Sequence, residues 1–276
     1  MIIIISYPLG TFVIIKKGQT MLLDMDTPVL KVLLIKGGTF MFDDEKDIHL
    51  SAENILITEG GQFLVGSAEQ PYQHRALITV HGHVRSKELP VYGAKSLSLR
   101  EGFLGLYGKH IPHTWTYLAA TANPRDTSIT LTQPATGWNI NDEIVITATA
   151  KSIRENEVVI IIDISPDGKT IEFGPPLKYK HISIEQTIAG RRIETRAEVG
   201  LLTRNVVVEG SVEESWVHTI ENCPAEFDPG QFATQTCFDG RFGEERGTDQ
   251  FGVQIMIHAH HANKHKVRNK RNFSEM

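Results

Sequence analysis

The pattern that decides the fold lies in IHLSAENILITEGGQFLVGS (residues 48–67) and occurs again in LPVYGAKSLSLREGFLGLYG (residues 89–108). Each segment has a short apolar strand, a turn with an acidic residue and glycine, and a second apolar strand. The turns are Glu59-Gly60-Gly61 and Glu101-Gly102. Because apolar residues alternate with other residues on both sides of each turn, we predict strands with one buried face.

The same pattern is found at two further places. VLKVLLIKGGTFMF (residues 29–42) has its turn at Gly37-Gly38, and RNVVVEGS (residues 204–211) is a partial copy. Gly37 and Gly60 are 60 − 37 = 23 residues apart, and Gly60 and Gly102 are 102 − 60 = 42 apart. One coil of three short strands needs about 20–25 residues, so these spacings predict one and then two steps of a repeat.

The repeat predicts an all-β chain that forms a parallel β-helix-like solenoid, in which stacking of coils buries the apolar faces. A β-sandwich with similar hairpins is the alternative. The repeat stops between Trp115 and His181, where four strands predict a small inserted β-barrel or sandwich. One of its turns is Pro166-Asp167-Gly168, and the apolar run VVIIIDI (residues 158–164) is predicted to be its buried strand.

These assignments divide the chain into four parts. We predict solenoid rungs over residues 1–114, the small β insert over 115–181, a return to the solenoid with a cysteine-containing loop over 182–259, and a disordered basic tail over 260–276. The tail holds histidines and then five basic residues from Lys264 to Arg271, so binding of a heparin-like chain is the alternative to simple disorder.

Composition restricts the class of protein. The 276 residues carry a formal net charge of −5, which gives no reason to expect a nucleic-acid partner. No run of about 18 apolar residues is present, so we expect no membrane span in this chain. The opening MIIIISYPLG is too short for the core of a secretory signal, and we interpret it as a first strand or as the start of a piece of a larger protein.

Two acidic residues are candidates for a cation or acid–base site. If the segment around them is a strand, Asp24 and Asp26 point to the same face. Such a pair of carboxylates is suited to calcium binding or proton transfer. The alternative is that both lie at a solvated corner.

Two histidines form the other candidate. In ALITVHGHV (residues 76–84), His81 and His83 share one face if the whole segment is a strand, as at the start of many metal sites. No third ligand is fixed by spacing, since His74 and Glu88 are near only in sequence. A surface-facing or hydrogen-bonded pair is the alternative, and we predict no bound metal or cofactor.

No catalytic motif is complete. Glycoside hydrolysis needs two carboxyl groups about 5–10 Å apart, and the sequence alone cannot place Asp24, Asp26, Asp43 or Glu88 in such a pair. Trp138 fits a sugar-stacking platform, but a tryptophan that fills the core of the insert is the stronger interpretation. We therefore leave enzymatic activity uncertain and expect none.

Four segments carry a resemblance: residues 53–83, 89–108, 196–211 and 232–252, which include the unusual strings LPVYGAK and FATQTCF. They resemble the eight-glycine (G8) domain family, most of all its fibrocystin-L-like branch and more distantly the cell-surface proteins that depolymerise hyaluronan. The resemblance covers most of the chain. It implies an extracellular, β-rich module of a larger membrane-anchored glycoprotein, receptor-like or coat-forming and not enzymatic.

The resemblance also implies an oxidising compartment, in which Cys223 and Cys237, 237 − 223 = 14 residues apart, should form a disulfide. The alternative is a zinc pair completed by a histidine such as His218, which lacks the short Cys-x-x-Cys spacing. In a secreted chain, Asn272 is a glycosylation site. The implied partner is an extracellular protein or glycan that the sequence does not identify. A hyaluronan-binding or hyaluronan-depolymerising domain is the alternative function.

Overall fold

The fold is seen in a computed structural model that describes residues 8–83, 86–212, 219–220, 247–248 and 252–258. Within these ranges there are twenty-two strands, one turn of 3-10 helix at Ile153–Glu155 and no α-helix, so the prediction of an all-β chain is confirmed. In chain order the strands are β1 (Phe12–Lys16), β2 (Thr20–Leu23), β3 (Val32–Lys36), β4 (Thr39–Phe42), β5 (Ile48–Ala52), β6 (Asn54–Thr58), β7 (Gln62–Val65), β8 (Ala76–Val80), β9 (Ser96–Arg100), β10 (Phe103–Leu106), β11 (Trp115–Tyr117), β12 (Ser128–Thr130), β13 (Glu143–Ile146), β14 (Glu157–Ile164), β15 (Thr170–Gly174), β16 (Ser183–Ile188), β17 (Arg191–Arg196), β18 (Glu198–Leu201), β19 (Val206–Gly210), β20 (Thr219–Ile220), β21 (Gly247–Thr248) and β22 (Gln254–His258).

The strands belong to two compact units. The first contains the described residues up to Gly108 and from Asn205 onward, and the second contains Lys109–Arg204. The predicted insert of residues 115–181 lies within the second unit.

The first unit is built from three parallel sheets. Their strand orders are β1-β3-β6-β9-β22, β2-β4-β7-β10 and β5-β8-β19. The chain passes through the three sheets in turn: β3, β4 and β5 are followed by β6, β7 and β8 in the same sheets. A short pair of β20 and β21 is antiparallel.

The spacing of 42 residues between Gly60 and Gly102 is one step of this path and not two, so that part of the sequence prediction is wrong. β6 and β9 are direct neighbours, with Asn54 opposite Ser96. The additional length is the segment between β8 and β9, which leaves the repeating path after Val80 and returns at Ser96. A count of turns cannot distinguish an extended loop from a second coil.

The core of the first unit consists of register rows. Leu33, Ile55 and Leu97 are neighbours on successive strands, and all three are buried. On the second sheet the rings of Phe40 and Phe63 lie 5.2 Å apart between centroids. Because the inward position is apolar on β3, β6 and β9, these neighbouring strands bury a continuous row.

The turns between the first and second sheets explain the repeated glycines. Gly37 and Glu59 have φ values of +74° and +52°, a region that most residues avoid. At Gly61 the reason is close approach, since a β-carbon there would overlap the carbonyl oxygen of Ile35 in the preceding coil. The glycine therefore lets two turns stack directly.

The second unit contains a six-stranded antiparallel sheet in the order β11-β18-β13-β14-β15-β12. Its two edge strands are joined to each other, because the Ala119 N–H donates to the Thr130 carbonyl at 2.7 Å and the Thr132 N–H donates to the Tyr117 carbonyl at 2.9 Å. The sheet thus closes on itself around an apolar core.

The strand β14 differs from the sequence prediction. Only Val159 and Ile161 are buried, whereas Val158, Ile160 and Ile162 are exposed. The apolar run is therefore not buried on both faces, and the prediction of a wholly buried strand is wrong. The turn at Pro166-Asp167-Gly168, which connects β14 with β15, is confirmed.

The remaining strands of the second unit, β16 and β17, form a separate two-stranded ribbon. The ribbon is connected by Ala189 and Gly190, both with positive φ, as in a tight two-residue hairpin turn.

Candidate functional site

A line of polar side chains crosses the outward face of the sheet β5-β8-β19. Ser51, Thr79 and Glu209 are register neighbours on the three strands, and His49 lies two residues before Ser51. The Nε2 atom of His49 is 2.8 Å from Thr79 Oγ1 and 3.3 Å from Ser51 Oγ. Thr79 Oγ1 donates to Glu209 Oε1 at 3.1 Å. Alternation places all these groups on one face because the inward positions are apolar.

The hydrogen-bond directions in this line can be assigned. A carboxylate only accepts hydrogen bonds, so the single hydroxyl hydrogen of Thr79 goes to Glu209. The Nε2 of His49 must then carry the proton that it shares with Thr79. In the neutral ring the Nδ1 atom of His49 is left as an acceptor. The line therefore fixes the tautomer and the orientation of one histidine.

One member of the predicted carboxylate pair, Asp26, contacts the backbone of this histidine. β2 ends at Leu23, so Asp24 and Asp26 follow the strand, and the premise that they share a strand face is wrong. Asp26 Oδ1 accepts a hydrogen bond from the backbone N–H of His49 at 2.8 Å. Asp26 thus holds the segment after β2 against β5.

The predicted histidine pair lies on a loop. β8 ends at Val80, and Gly82 has a φ of +149°, so His81 and His83 are not on a strand. The His81 N–H donates to the Ala52 carbonyl at 2.8 Å, and the His83 N–H donates to Ser86 Oγ at 3.0 Å. The backbone of each residue thus positions the start of the loop between β8 and β9.

That loop ends at a buried lysine that the sequence analysis did not select. Lys95 is almost fully buried, with a φ of +55°, and its Nζ donates to the Ser211 carbonyl at 2.7 Å. The Lys95 carbonyl accepts from the Gln254 N–H at 3.0 Å. Lys95 therefore connects the segments before β9, after β19 and at the start of β22.

A histidine–carboxylate pair lies at the corner between the second and third sheets. Asp44 accepts from the backbone N–H groups of Gln73 and His74 at 2.8 and 3.0 Å, and its Oδ1 is 2.9 Å from His74 Nδ1. Burial alone would raise the pKa of Asp44, but these hydrogen bonds outweigh it and lower the pKa. The side-chain bond to Asp44 raises the pKa of His74.

Tyr72 completes this corner. Its hydroxyl donates to the carbonyl oxygens of Asp43 and Lys46 at 2.9 and 3.2 Å. Burial, with a smaller contribution from nearby carboxylates, raises the pKa of Tyr72 to about 12. Nδ2 of Asn205 donates to the carbonyls of Tyr72 and His74 at 2.6 and 2.8 Å. The corner is held by hydrogen bonds that leave its polar groups satisfied.

The two tryptophans of the second unit differ in exposure. Trp138 is 5% exposed, and its Nε1 donates to the His113 carbonyl at 2.6 Å, so the prediction of a core tryptophan is confirmed. Trp115 is 51% exposed and packs edge-on against Tyr117, with ring centroids 5.1 Å apart. Trp115 and Tyr117 thus form an exposed aromatic pair, which the sequence did not predict.

Several predicted features lie outside the described residues: Cys223, Cys237, His218, Asn272 and the tail of residues 260–276. Within the described part, no three His, Cys, Asp or Glu side chains are grouped as ligands of a metal ion. The same residues contain no helix with the length and apolar character needed to cross a bilayer.

The polar line could not be found from local spacing. Thr79 and Glu209 are 209 − 79 = 130 residues apart, and only the register of β8 and β19 makes them neighbours. The available signal was the polar alternation of His49 and Ser51 within an otherwise apolar strand.

The sequence of this chain is similar to those of known proteins. Residues 7–119 match the family model described as the G8 domain. Fibrocystin-L of Homo sapiens is 53% identical over 253 residues, which cover 91% of this chain and 6% of that protein. Fibrocystin of Mus musculus is 33% identical over 250 residues, covering 90% of this chain and 6% of that protein.

A more distant relative shares the domain by name. A G8 domain-containing protein of Dictyostelium discoideum is 26% identical over 220 residues, covering 78% of this chain and 13% of that protein. The chain therefore spans only a small part of the curated relatives that it matches. On the family model and the similarity to fibrocystin-L, the chain belongs to the G8 domain family.

Proposed function

We propose that the chain is a non-catalytic structural or recognition module of a fibrocystin-L-like protein, which acts outside the cell or at its surface. The observation that carries this proposal is the 53% identity with fibrocystin-L over 91% of the chain. Because the match covers 6% of that protein, the chain corresponds to a fragment of a large receptor-like or coat-forming molecule in this proposal.

The proposed architecture is a parallel β-helix solenoid that carries a small barrel. Two features support the solenoid: the chain visits three parallel sheets in a fixed order, and the inward rows continue from coil to coil. The backbone bonds between β11 and β12 support the barrel. A scaffold of this kind presents long, flat sheet faces, which suit recognition of another macromolecule.

The polar line around His49 is proposed to be part of a recognition surface. Thr79 and Ser51 are nearly buried, so their hydroxyls orient His49 and are not themselves presented to a ligand. Glu209 is exposed and has no acidic partner within this line, so the line contains one carboxylate and not the two that glycoside hydrolysis needs. This arrangement favours hydrogen bonding to a partner over cleavage of a sugar.

The proposed extracellular location implies two covalent features, a disulfide and a glycan, which we propose as well. Cys223 and Cys237 form a disulfide, which in the loop-entropy account of a 15-residue loop contributes about 3 kcal/mol to stability. Asn272 carries a glycan. Alkylation of the secreted chain without reductant, followed by mass spectrometry, should find both thiols unlabelled, and labelling of both would oppose the proposed compartment.

The main test separates this function from hyaluronan depolymerisation. High-molecular-weight hyaluronan is incubated with the purified chain at neutral and mildly acidic pH, with and without calcium, and sized on a gel. We expect no change in polymer length. An enzyme-dependent decrease in length that is lost in Glu209→Gln and kept in Glu88→Gln would overturn the non-catalytic assignment and make the polar line catalytic.

Any hyaluronan binding without cleavage is expected to come from the basic tail. It should weaken steeply with salt, because charges are screened within about 8 Å at physiological ionic strength. Removal of Lys264–Met276 should abolish it, whereas His49→Ala should not. If His49→Ala abolishes salt-resistant binding instead, the recognition surface is the polar line and hyaluronan is its ligand.

A further inference from the structure

The ribbon of β16 and β17 has an apolar face in contact with water. Ile184, Ile188 and Ile193 lie on one face of the ribbon and are 40%, 54% and 45% exposed. An isolated two-stranded hairpin is only marginally stable in water. This ribbon therefore has a surface that gains stability when it joins a larger sheet.

The opposite face of the ribbon is electrostatically satisfied. Arg192 Nε lies 2.6 Å from Glu185 Oε1, Arg196 Nη2 lies 3.7 Å from Glu185 Oε2, and Arg196 also pairs with Glu194. Each carboxylate thus has a guanidinium partner within the ribbon. No external counter-charge is needed on this face.

The base of the ribbon is fixed to the closed sheet of the same unit. Arg196 Nη1 donates to the carbonyls of Leu118 and Ala119, at 3.2 Å each, and Ser183 Oγ donates to the Leu118 carbonyl at 2.7 Å. These bonds hold the ribbon in place at its first pair of residues, Ser183 and Arg196. A partner that binds the ribbon therefore binds a preformed surface.

The outer edge of β16 has unpaired backbone groups. The Ile182 carbonyl accepts from Ala197, so Ile184, Gln186 and Ile188 direct their backbone groups toward β17. Glu185 and Thr187 must then direct theirs outward, and no described strand pairs with that edge. At Ser183 the outward groups are already bonded to Thr121 Oγ1, at 3.0 and 3.2 Å.

The two edges of the ribbon differ in their protection against pairing. β17 carries four charged side chains in six residues, which is how natural proteins keep an edge strand from pairing. β16, with the sequence SIEQTI, carries one charge, Glu185. It has no proline or glycine, and its isoleucines and threonine favour strands. The unprotected edge is that of β16.

We propose that two copies of this chain pair through β16, as antiparallel strands related by a two-fold axis at Gln186. Glu185 of one copy then lies opposite Thr187 of the other. Both residues direct their backbone groups outward, so the two symmetric pairs form four backbone hydrogen bonds. Ile184 of each copy packs against Ile188 of the other, and the ribbons join into one four-stranded sheet.

Charge repulsion disfavours a shift of this register toward Glu185. A shift of the axis to Glu185 would place the two Glu185 carboxylates directly opposite each other, which destabilises a strand pair. An equivalent pairing through β17, centred on Ile193, would place Arg192 opposite Glu194. However, both residues already have partners in their own ribbon, and exposed ion pairs contribute little.

The resulting dimer is weak. A single strand pair buries much less than the about 1,000 Å² of a stable interface, so the association depends on concentration. We expect the sedimentation coefficient to increase across the micromolar range. This behaviour fits a contact that is strengthened when many copies are held close together.

Site-directed cross-linking tests the register. In the full chain, Gln186→Cys places two thiols at the two-fold axis, where opposite side chains are within disulfide reach. We expect a disulfide-linked dimer on non-reducing gels after mild oxidation, at least tenfold more than in Thr195→Cys or the unmodified chain. Cross-linking of Ile193→Cys in place of Gln186→Cys would assign the contact to β17 and overturn the proposal.

Proline substitution tests the edge independently. Thr187→Pro removes an outward N–H from β16, and Arg192→Pro removes one from the outer edge of β17, so both should leave the ribbon's internal bonds intact. Thr187→Pro should abolish the concentration-dependent sedimentation, whereas Arg192→Pro should retain it. Equal loss in both variants with an unchanged circular dichroism spectrum, or no association in the unmodified chain, would reject pairing through β16.

Discussion

The two units of this chain differ in whether their sheets have open edge strands. In the first unit each parallel sheet ends in two edge strands, for example β1 and β22, and burial depends on the rows between them. In the second unit β11 and β12 bond to each other, which removes the edges of that sheet. The first unit, here called the stacked unit, therefore keeps open sheet edges, whereas the closed sheet of the second unit has none.

Each unit also buries polar groups that are hydrogen-bonded to one another. In the stacked unit Asn54 Oδ1 accepts from Ser96 Oγ at 3.1 Å, a neutral contact between register neighbours. In the closed sheet the buried ring of His181 bonds to the Thr147 carbonyl at 2.9 Å and to Glu157 Oε2 at 3.0 Å. Each ring nitrogen of His181 thus has an oxygen partner within hydrogen-bond distance. The contact between the buried His181 ring and the nearly buried Glu157 carboxylate thus helps to hold the second unit together.

The largest expected effect comes from breaking this pair. His181→Ala leaves Glu157 nearly buried without its partner, which should cost about 3–5 kcal/mol of unfolding free energy. Lys31→Ala, which breaks the partly exposed pair of Lys31 and Glu53 in the stacked unit, should cost at most about 1 kcal/mol. Urea unfolding of both variants measures the difference. Equal costs would show that burial does not separate the two pairs.

The same pair gives an acid dependence. Burial alone would raise the pKa of Glu157, but bonds from His181 and from the N–H groups of Lys178 and Tyr179 outweigh it and lower the pKa. The contribution of Glu157 is therefore present above its unfolded pKa of about 4.5 and is lost as pH falls through the lower folded value. In Glu157→Gln this part of the acid destabilisation should disappear.

The second largest effect distinguishes two adjacent glycines in the stacked unit. Gly61→Ala forces a β-carbon against the Ile35 carbonyl of the neighbouring coil and should cost about 3 kcal/mol. A β-carbon added in Gly60→Ala has no neighbouring atom within 4 Å. The only cost is the strain of an alanine at a φ of +82°, which lowers the unfolding free energy by about 1 kcal/mol. Urea midpoints of the two variants give the comparison. A smaller cost at Gly61 would mean that the turns do not stack closely.

A third effect belongs to the closed sheet. Trp138→Phe removes the donor to the His113 carbonyl and leaves space in the core, at a cost of about 2 kcal/mol. Trp115→Phe changes a half-exposed ring and should cost less than about 0.5 kcal/mol. Thermal unfolding followed by circular dichroism tests both. A comparable loss at Trp115 would place it in a contact that the structure does not show.

The turns and strands that follow a local, repeated pattern were predicted from the sequence. The turns at Gly37-Gly38, Glu59-Gly61 and Glu101-Gly102 gave the strands β3, β4, β6, β7, β9 and β10, because alternation and glycine turns are local signals. The excursion between β8 and β9 was missed, since its length is close to one coil. The outward isoleucines of β14 were also missed, because an apolar run does not reveal which face is covered.

The candidate site was less predictable than the fold. His81 and His83 were selected by spacing, but spacing says nothing about where a strand ends, and β8 ends before both. The line from His49 to Glu209 depends on the register of strands separated by the whole of the second unit. Such a contact is set by tertiary packing, and the polar alternation of His49 and Ser51 does not reveal which distant residues lie next to them.

The smallest expected effect is the pH dependence of the corner at Asp44 and His74 in the stacked unit. The lowered pKa of Asp44 contributes stability above its unfolded value of about 3.8, and this is lost as pH falls. The raised pKa of His74 contributes stability below its unfolded value of about 6.5, and this is lost as pH rises through the folded value. The corner is therefore most stabilising between these two limits.

A variant of the corner can be compared with a variant of the second unit to test this pH dependence. Asp44→Asn keeps an acceptor for the backbone N–H groups but removes the charge, so His74 should lose its upward shift. Histidine NMR titration should show the pKa of His74 decreasing, while a Glu157→Gln chain leaves it unchanged. Because His74 is well exposed, the stability change should be small and should weaken in high salt. An unchanged His74 titration in Asp44→Asn would mean that the two side chains do not interact in solution, and the corner would then be held by the backbone bonds to Asp44 and by the bonds of Tyr72 and Asn205.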